Sequence, residues 1–365
     1  MSIDSFNLLD PPMPSYSFTL YHRDVFEKSN FKDYDSMLSN RLARGHTRAS
    51  YLASIYENKR MGAHLNRRGP AMGSTTTYDA EETTYCRYNV PYESGIRTIG
   101  LMASEVIVFT LDYKLQRIMF GCGKNQKSGK VQFSGSYSGI VGLGRRVNAN
   151  LSGGYSLPSQ LNATVFSLCL PSFELGKSSI LNFHKAPWPN ATMAKLLPNY
   201  MHPQLHFVNL YKIFINDREV PVKPSWWHFD KNMRGGVVVD TGTTITHFPE
   251  DFYIVFRYIF RSEVGDDSPI VENPVGDFDT CYRADLDGGE VYFPVVKLYF
   301  GSKNPSSMLF LAQERVVTLI GDQYCLAFKG WDKDFTILGT NQLQAVGLTF
   351  DTSQNTLAFD LDACL

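Results

Sequence analysis

The sequence lacks several features that would place it in common functional classes. No apolar run approaches the roughly 20 residues that cross a bilayer, so we predict no membrane span. Neither charge predominates: the formal net charge of −1 argues against a nucleic-acid partner, which needs a basic face to displace phosphate counterions. None of the six cysteines forms a Cys-x-x-Cys pair, which argues against zinc and thioredoxin-like chemistry. Residues 1–17 contain no basic segment followed by an apolar core, so no signal peptide is visible.

Aromatic residues are abundant instead. The chain contains 25 Phe and 20 Tyr, which favour strands because planar rings pack well on a pleated surface. From Tyr85 onward, short apolar runs such as residues 105–109 and 294–300 alternate with turn signals. This spacing predicts an all-β sandwich or barrel. Helical stretches are few, and the clearest runs from Glu250 to about Ser262.

The first 60 residues differ from the rest. Residues 33–56 read as a helix with Arg41, Arg44 and Arg48 on neighbouring turns. One interpretation is an N-terminal extension with a solvated basic face. The other is a propeptide whose cations cover a carboxylate site until it is removed. Charge alone favours neither.

Sequons and an even number of cysteines indicate an oxidising, secretory route. The sequons begin at Asn150, Asn162 and Asn190, which we predict as glycosylation sites. The six cysteines are compatible with disulfides.

The strongest chemical signal is an Asp-Thr-Gly loop that follows an apolar strand. The segment Gly236-Val-Val-Val-Asp-Thr-Gly-Thr-Thr places Asp240 directly after that strand. Gly242 permits a tight backbone path, and Thr241 and Thr243 offer hydroxyls that orient the carboxylate. A carboxylate in such a place is costly to bury unless it is hydrogen-bonded or has a function. The alternative is a polar loop that merely ends a strand.

A weak internal repeat suggests two similar lobes. Residues 138–144 and 335–340 each leave a strand through two apolar residues and a glycine. The two copies are Ile140-Val-Gly and Ile337-Leu-Gly.

Several motifs, in order along the chain, resemble the plant nepenthesin-like branch of the pepsin-like aspartic protease family, peptidase family A1. The matching segments are residues 20–24, 86–92, 120–123, 139–145, 156–161, 166–170, 240–246, 278–282 and 325–328. The resemblance implies a mainly-β, bilobal pepsin-like acid protease fold with a truncated first lobe. It implies a propeptide-like segment at 1–60, a truncated N-terminal lobe with a flap at 61–194, and a C-terminal lobe at 195–365.

The resemblance also implies residue roles. Asp240 would be the catalytic aspartate of the second lobe, and Tyr92 the flap tyrosine that closes over substrate. Thr241, Gly242 and Thr243 would complete the substrate-binding loop.

Further implications concern stability, cofactors and location. Cys281 and Cys325 would form a disulfide. The protein would be secreted or vacuolar, like members of the family. No cofactor and no metal is implied, because carboxylates alone activate water in this reaction. We expect His206 and His247 to be structural.

One element of the family pattern is missing. The first Asp-Thr-Gly-Ser should lie between propeptide and flap, yet no Asp-Thr-Gly or Asp-Ser-Gly occurs between Met61 and Cys86. Asp79 lacks both the glycine and the preceding apolar strand, so it is no substitute. Because the first lobe keeps Ile140-Val-Gly, the pattern indicates a deletion within a two-lobed ancestor.

The missing loop bears on activity. Aspartic proteases use two carboxylates that share one proton, and one alone cannot act as both base and acid. We therefore expect a member of an endopeptidase family whose activity is impaired. We also expect the protein to be a monomer. Its partner is a polypeptide substrate if it is active and a protein partner if it is not. The alternatives are a non-catalytic binding protein like the plant xylanase inhibitors, a homodimer with facing Asp240 loops, and a mispredicted or alternatively spliced product.

Overall fold

A computed structural model describes most of the chain from residue 87 onward and a few earlier positions. The described residues are 16–21, 36, 39, 42, 43, 49, 87–91, 96–109, 114–128, 140–145, 156–170, 178–184, 191–265, 268–283, 291–301, 307–361 and 363. Tyr92, Asn150 and Asn190, which the sequence singled out, lie outside them.

Strands dominate the described residues, which confirms the mainly-β class. They are β1 (Tyr16–Tyr21), β2 (Arg87–Pro91), β3 (Ile96–Phe109), β4 (Lys114–Ser128), β5 (Val165–Cys169), β6 (Ser178–Phe183), β7 (Thr192–Leu197), β8 (Phe207–Val208), β9 (Leu210–Ile215), β10 (Arg218–Glu219), β11 (Val237–Val239), β12 (Thr246–Pro249), β13 (Cys281–Arg283), β14 (Val296–Phe300), β15 (Met308–Leu311), β16 (Val317–Ile320), β17 (Gln323–Leu326), β18 (Phe328–Trp331), β19 (Thr336–Leu338), β20 (Val346–Asp351) and β21 (Thr356–Leu361).

The isolated described positions 36, 39, 42, 43 and 49 are helical, and the helices whose bounds the structure describes are short, with one exception. They are α1 (Leu157–Gln160), the 3-10 helix Pro224–Trp226, α2 (Glu250–Val264), α3 (Gln313–Val316) and α4 (Thr340–Leu343). The helix predicted from Glu250 is therefore confirmed as α2. None of the helices in the described part of the chain has both the length and the apolar character needed to cross a membrane.

The strands form one large sheet and three small ones. The large sheet has the order β1-β6-β5-β20-β21-β7-β8-β11-β19-β12-β18, in which β11 pairs with β19, and β12 with β18, in parallel. The small sheets are β10-β9-β14-β15, β13-β17-β16 and β2-β3-β4. The predicted lobe boundary at residue 194 falls within β7, and the three-part division of the chain stays a prediction.

One face of α2 packs into an aromatic core. Phe252, Phe256 and Phe260 recur every four residues on one face of the helix and are fully buried. The ring of Phe252 lies 4.9 Å from that of Phe248, and the ring of Phe256 lies 4.9 Å from that of Phe328. The helix is thus packed onto β12 and β18, next to the strands that support the Asp-Thr-Gly loop.

The β2-β3-β4 sheet carries apolar residues with little cover. Met119 and Phe120 of β4 are 40% and 41% exposed. The sheet is fixed to α1 through Gln160, whose amide accepts from Met119 N at 2.6 Å and donates to Met119 O at 2.9 Å. Among the described residues, these two side chains have little cover.

A disulfide connects strands β13 and β17. Cys281 of β13 and Cys325 of β17 are bonded to each other, as the family resemblance implied. Cys169 is also disulfide-bonded, and Cys122 is an exposed free thiol.

Asp279 ties α2 to the disulfide-bonded strand β13. Its carboxylate accepts hydrogen bonds from Tyr253 Oη at 2.6 Å, from Thr280 Oγ1 at 2.9 Å and from Arg257. Burial by itself would raise the pKa of Asp279, but these hydrogen bonds outweigh burial and lower that pKa below its usual 3.8.

We expect Asp279→Asn to lower the free energy of unfolding at pH 7 by about 1 kcal/mol, because it removes a partly exposed, charge-assisted hydrogen-bond acceptor. A carboxyl whose pKa is depressed by folding stabilises the fold above its unfolded pKa, and the contribution disappears as the pH falls through the folded pKa. The gap between wild type and variant in urea unfolding should therefore shrink below pH 3.8.

Asp217→Asn is the matched control, since Asp217 is fully exposed in its ion pair with Lys297. It should change the free energy of unfolding by less than about 0.5 kcal/mol. A gap for Asp279→Asn that stays constant from pH 7 to pH 2 would contradict this role.

Candidate active site

Asp240 lies at the end of a buried strand, which fixes its position in the candidate site. Strand β11 is buried throughout and lies between β8 and β19 in the large sheet. Val239 pairs with Leu338, and Asp240 N donates to Leu338 O at 3.1 Å. The backbone of the aspartate is thus fixed by the strand that carries Ile337-Leu-Gly.

The loop after β11 brings the predicted site residues together. Thr243 Oγ1 donates to Asp240 Oδ2 at 2.8 Å, and Thr243 N donates to Asp240 O at 3.3 Å. Thr243 is fully buried, Asp240 and Thr241 are half-buried, and Gly242 is exposed. The buried Thr243 hydroxyl therefore orients the Asp240 carboxylate, and the exposed Gly242 lies on the solvent side of the loop.

Residues after β19 hold the loop from its other side. Thr340 N donates to Thr243 O at 2.7 Å, and Thr340 Oγ1 donates to the carbonyls of Thr241 at 3.0 Å and Thr243 at 2.9 Å. Asn341 N donates to Thr244 O at 2.8 Å. Four backbone and side-chain bonds thus lock the conformation of the Asp-Thr-Gly loop.

A buried polar network supports this lock. Gly339 N donates to Thr246 Oγ1 at 3.0 Å, and Thr246 Oγ1 donates to Gln342 Oε1. The Gln342 amide donates to Arg315 O and Ala327 O, both at 2.9 Å. Every group in the network has a partner, so it rigidifies the base of the loop.

Sequence reasoning missed Thr340, Thr246 and Gln342. A signal was present, because Thr340 and Gln342 follow the apolar-apolar-Gly motif directly. Their partners in and beside the Asp-Thr-Gly loop, Thr241, Thr243 and Thr246, lie almost 100 residues away in sequence, and local pattern does not reveal such contacts.

The first-lobe copy of the motif is uncovered. Ile140 and Val141 are 73% and 62% exposed, whereas Ile337 and Leu338 are fully buried. A Cβ atom added to Gly142 would meet no atom within 4 Å. The two copies of the apolar-apolar-Gly motif thus have opposite environments, because the first is exposed and the second is buried.

Residues 140–145 are nevertheless anchored. Gly142 O accepts from Leu157 N at 2.9 Å, and Leu143 O accepts from the His206 ring Nε2 at 3.0 Å. Arg145 N donates to Gln204 O at 2.8 Å. The segment is held against the large sheet although its apolar side chains face outward.

His206 links this segment to the strand that carries Asp240. Its backbone carbonyl accepts from Val239 N at 2.9 Å, and its ring packs 4.4 Å from that of Phe350. Burial, with a smaller contribution from the charge of Arg145, lowers the pKa of His206 to about 4. The bond to Leu143 and the charge of Asp240 act in the opposite direction. The neutral ring is a hydrogen-bond donor to Leu143, which the sequence alone did not suggest.

Other predicted residues lie apart from the Asp240 loop or outside the described residues. Tyr92 falls between β2 and β3, which pair as a hairpin, but is not itself described. Asn162 lies exposed in the turn after α1 with a φ of 54°. Among the residues that the structure describes, no cluster of His, Cys, Asp and Glu has an arrangement that would hold a metal ion.

Comparison with known proteins identifies the relatives of this chain. Residues 45–183 match the family model "Xylanase inhibitor N-terminal" and residues 205–360 match "Xylanase inhibitor C-terminal". The aspartic proteinase nepenthesin-1 of Nepenthes gracilis is 28% identical over 77% of this chain and 61% of its own length. The chain thus spans about three fifths of the length of the curated relatives it matches.

Solved structures share the fold. The chain is similar to the structure titled edgp, with a TM-score of 0.61 and 18% identity over 80% of this chain and 78% of that one. It is similar to Basic 7S globulin from soybean, with a TM-score of 0.58 and 20% identity over 75% and 73%. These likenesses confirm the bilobal fold.

The different environments of the two glycines predict different effects of one substitution. A Cβ atom on Gly339 would lie 2.8 Å from Thr244 O and 2.9 Å from Thr243 O, so Gly339→Ala must displace the Asp-Thr-Gly loop. We expect it to lower the free energy of unfolding by about 1–3 kcal/mol in urea titrations. Gly142→Ala is the matched control and should change it by less than about 0.5 kcal/mol. Equal effects of the two substitutions would refute this description.

Proposed function

Because this chain belongs to the pepsin-like aspartic protease family, in its plant nepenthesin-like branch, we propose that it is an aspartic-type endopeptidase by descent whose proteolysis is impaired. The observation that carries the proposal is the combination of an intact, locked Asp240 loop with a sequence that contains Asp-Thr-Gly once. The second half of the expected catalytic pair is missing from this chain.

Asp240 has the position needed for half of the reaction. Its oriented carboxylate can take a proton from water, which then attacks the carbonyl of a peptide bond. Thr241 and Gly242 on the open side of the loop would contact the substrate backbone, and Tyr92 would close over it. Polarising the carbonyl needs a protonated acid on the opposite side, which the family supplies from a second Asp-Thr-Gly loop. Without that acid we expect the rate to fall by orders of magnitude.

The uncovered Ile140-Val-Gly motif supports the same conclusion. Its second-lobe counterpart is buried by the Asp240 loop, and the first-lobe motif has no such loop against it among the described residues. On this proposal, the exposure of the Ile140-Val-Gly motif follows from the absence of a first Asp-Thr-Gly loop.

The family also suggests a route for the protein. We propose residues 1–60 as a propeptide-like segment, secretion or vacuolar delivery, and glycosylation at Asn150, Asn162 and Asn190. Asn162 is exposed, as a glycosylated residue must be. The division into lobes at 61–194 and 195–365 belongs to the same proposal. We propose a monomer that binds a polypeptide substrate if it is active and a protein partner if it is not.

A second candidate function is a non-catalytic binding protein of the xylanase-inhibitor kind. The observation that favours it is that both family models matched by this chain describe xylanase inhibitors. On this reading the two-lobed body binds a partner protein and the Asp240 loop is retained for its packing. The fold similarity to a 7S globulin is compatible with this reading.

Cleavage of a denatured protein by the full chain between about pH 3 and pH 5 tests the proposal. We expect no cleavage, or cleavage that neither a pepstatin-type inhibitor nor Asp240→Asn changes, because one carboxylate cannot act as base and acid together. Circular dichroism of the same samples verifies that the chain is folded. Cleavage removed by both the inhibitor and Asp240→Asn would show that a second acid is present and would overturn the proposal.

A further inference from the structure

A groove, here called the polar groove, lies between the turn that joins β9 to β10, the end of α2 and the start of β14. We propose that it binds a short neutral oligosaccharide. Its volume is about 670 Å³, which is within the usual range for small-molecule sites. The described residues that line it include Asn216, Asp217, Arg218, Glu263, Tyr292 and Lys297.

The turn between β9 and β10 fixes one wall of the polar groove. Asn216 and Asp217 join the two strands, and Asn216 has a φ of 50°, a conformation that two-residue hairpin turns require and that Asn tolerates. Asn216 Nδ2 donates to Glu263 Oε2 at 2.9 Å, and Val295 N donates to Asn216 Oδ1 at 3.1 Å. Asn216 thus ties the turn to α2 and to the segment before β14, so this wall is preorganised for a ligand.

Charged side chains in the polar groove are held in place but keep hydrogen-bonding capacity. Lys297 Nζ donates to Asp217 Oδ1 at 2.9 Å, and Arg218 Nη1 donates to Ser262 Oγ at 3.0 Å. Each bond uses only part of the capacity of its groups, because a guanidinium has five N–H donors, an ammonium has three and a carboxylate has two acceptor oxygens. The polar groove therefore offers the donors Arg218 and Lys297 beside the acceptors Asp217 and Glu263.

The balance of charge in the polar groove favours a neutral ligand. Among the described residues that line it, two are cations and two are carboxylates, so their charges cancel. A site for an ionic ligand would instead gather charges of one sign. A hydroxyl group both donates and accepts, which matches donors and acceptors that lie side by side. A neutral ligand with many hydroxyl groups is therefore complementary to these side chains.

An exposed aromatic ring makes a sugar the best fit among such ligands. Tyr292 lines the polar groove and is 67% exposed. A tyrosine ring combines an apolar face with a polar tip, and a pyranose combines an apolar C–H face with a polar rim. A sugar can therefore stack on Tyr292 while its hydroxyls bond to Asp217, Arg218 and Lys297.

The polar groove is independent of the proposed function. None of the residues that line it within the described part of the chain takes part in the bonds that hold the Asp240 loop. Binding at the polar groove and cleavage by Asp240 are therefore separate properties, and a failure of either proposal leaves the other intact.

Isothermal titration calorimetry of the full chain at pH 7 tests the proposal. The probes are three neutral hexasaccharides: cellohexaose, mannohexaose and maltohexaose. We expect saturable binding of at least one of them. Tyr292→Ala should weaken it about tenfold because the stacking face is lost, whereas Tyr292→Phe keeps the ring and should weaken it by about threefold or less. Asp217→Ala should also weaken it about tenfold, because it removes an acceptor and releases Lys297.

Matched variants separate the polar groove from the rest of the surface. Tyr258→Ala removes a tyrosine of α2 that is also 67% exposed but does not line the groove, and it should leave binding unchanged. Asp332→Ala removes the acid of another exposed ion pair, with Lys333, and should likewise have no effect. Circular dichroism verifies the fold of each variant.

Salt dependence shows whether the ligand is neutral. Raising NaCl from about 0.05 M to about 0.5 M should change the Kd by less than about twofold, because screening acts on net charges and the ligand has none. Absence of saturable binding of all three hexasaccharides would overturn the proposal. Binding that Tyr292→Ala and Asp217→Ala leave intact, or that falls steeply with salt, would also overturn it.

Discussion

The candidate site depends on the contact between the Asp-Thr-Gly loop and the apolar-apolar-Gly motif beside it. Parallel pairing of β11 with β19 aligns Asp240, and the close approach of Gly339 brings Thr340 within hydrogen-bond distance of the loop carbonyls. A carboxylate beside a buried strand is tolerated because these bonds, and the Thr243 hydroxyl, satisfy the polar groups around it.

In the first lobe, no loop of this kind lies against Ile140-Val-Gly among the residues that the structure describes. Ile140 and Val141 keep the apolar character that the motif needs, but their side chains face solvent. The segment is still anchored to the large sheet through the bond between Leu143 and His206. On the proposed function, family membership and catalytic competence are separable properties, because the fold needs only the sheets whereas catalysis needs two Asp-Thr-Gly loops.

Much of the fold was predictable from local pattern and much of the site was not. The apolar strand before Asp240 and the helix from Glu250 were predicted from the sequence, and the family resemblance implied the Cys281–Cys325 disulfide. The Thr340 lock and the His206–Leu143 bond were not, because each joins residues more than 60 positions apart and no periodicity marks such pairs. The role of Tyr92 stays a prediction.

Amide hydrogen exchange of the full chain tests most directly whether the two copies of the motif differ as described. The account predicts slow exchange at the amides of Asp240 and Thr340, which donate to Leu338 O and Thr243 O, and near-unprotected exchange at Ile140 and Val141. Protection of Ile140 and Val141 as strong as that of Asp240 would mean that the first-lobe motif is covered, and would contradict the account.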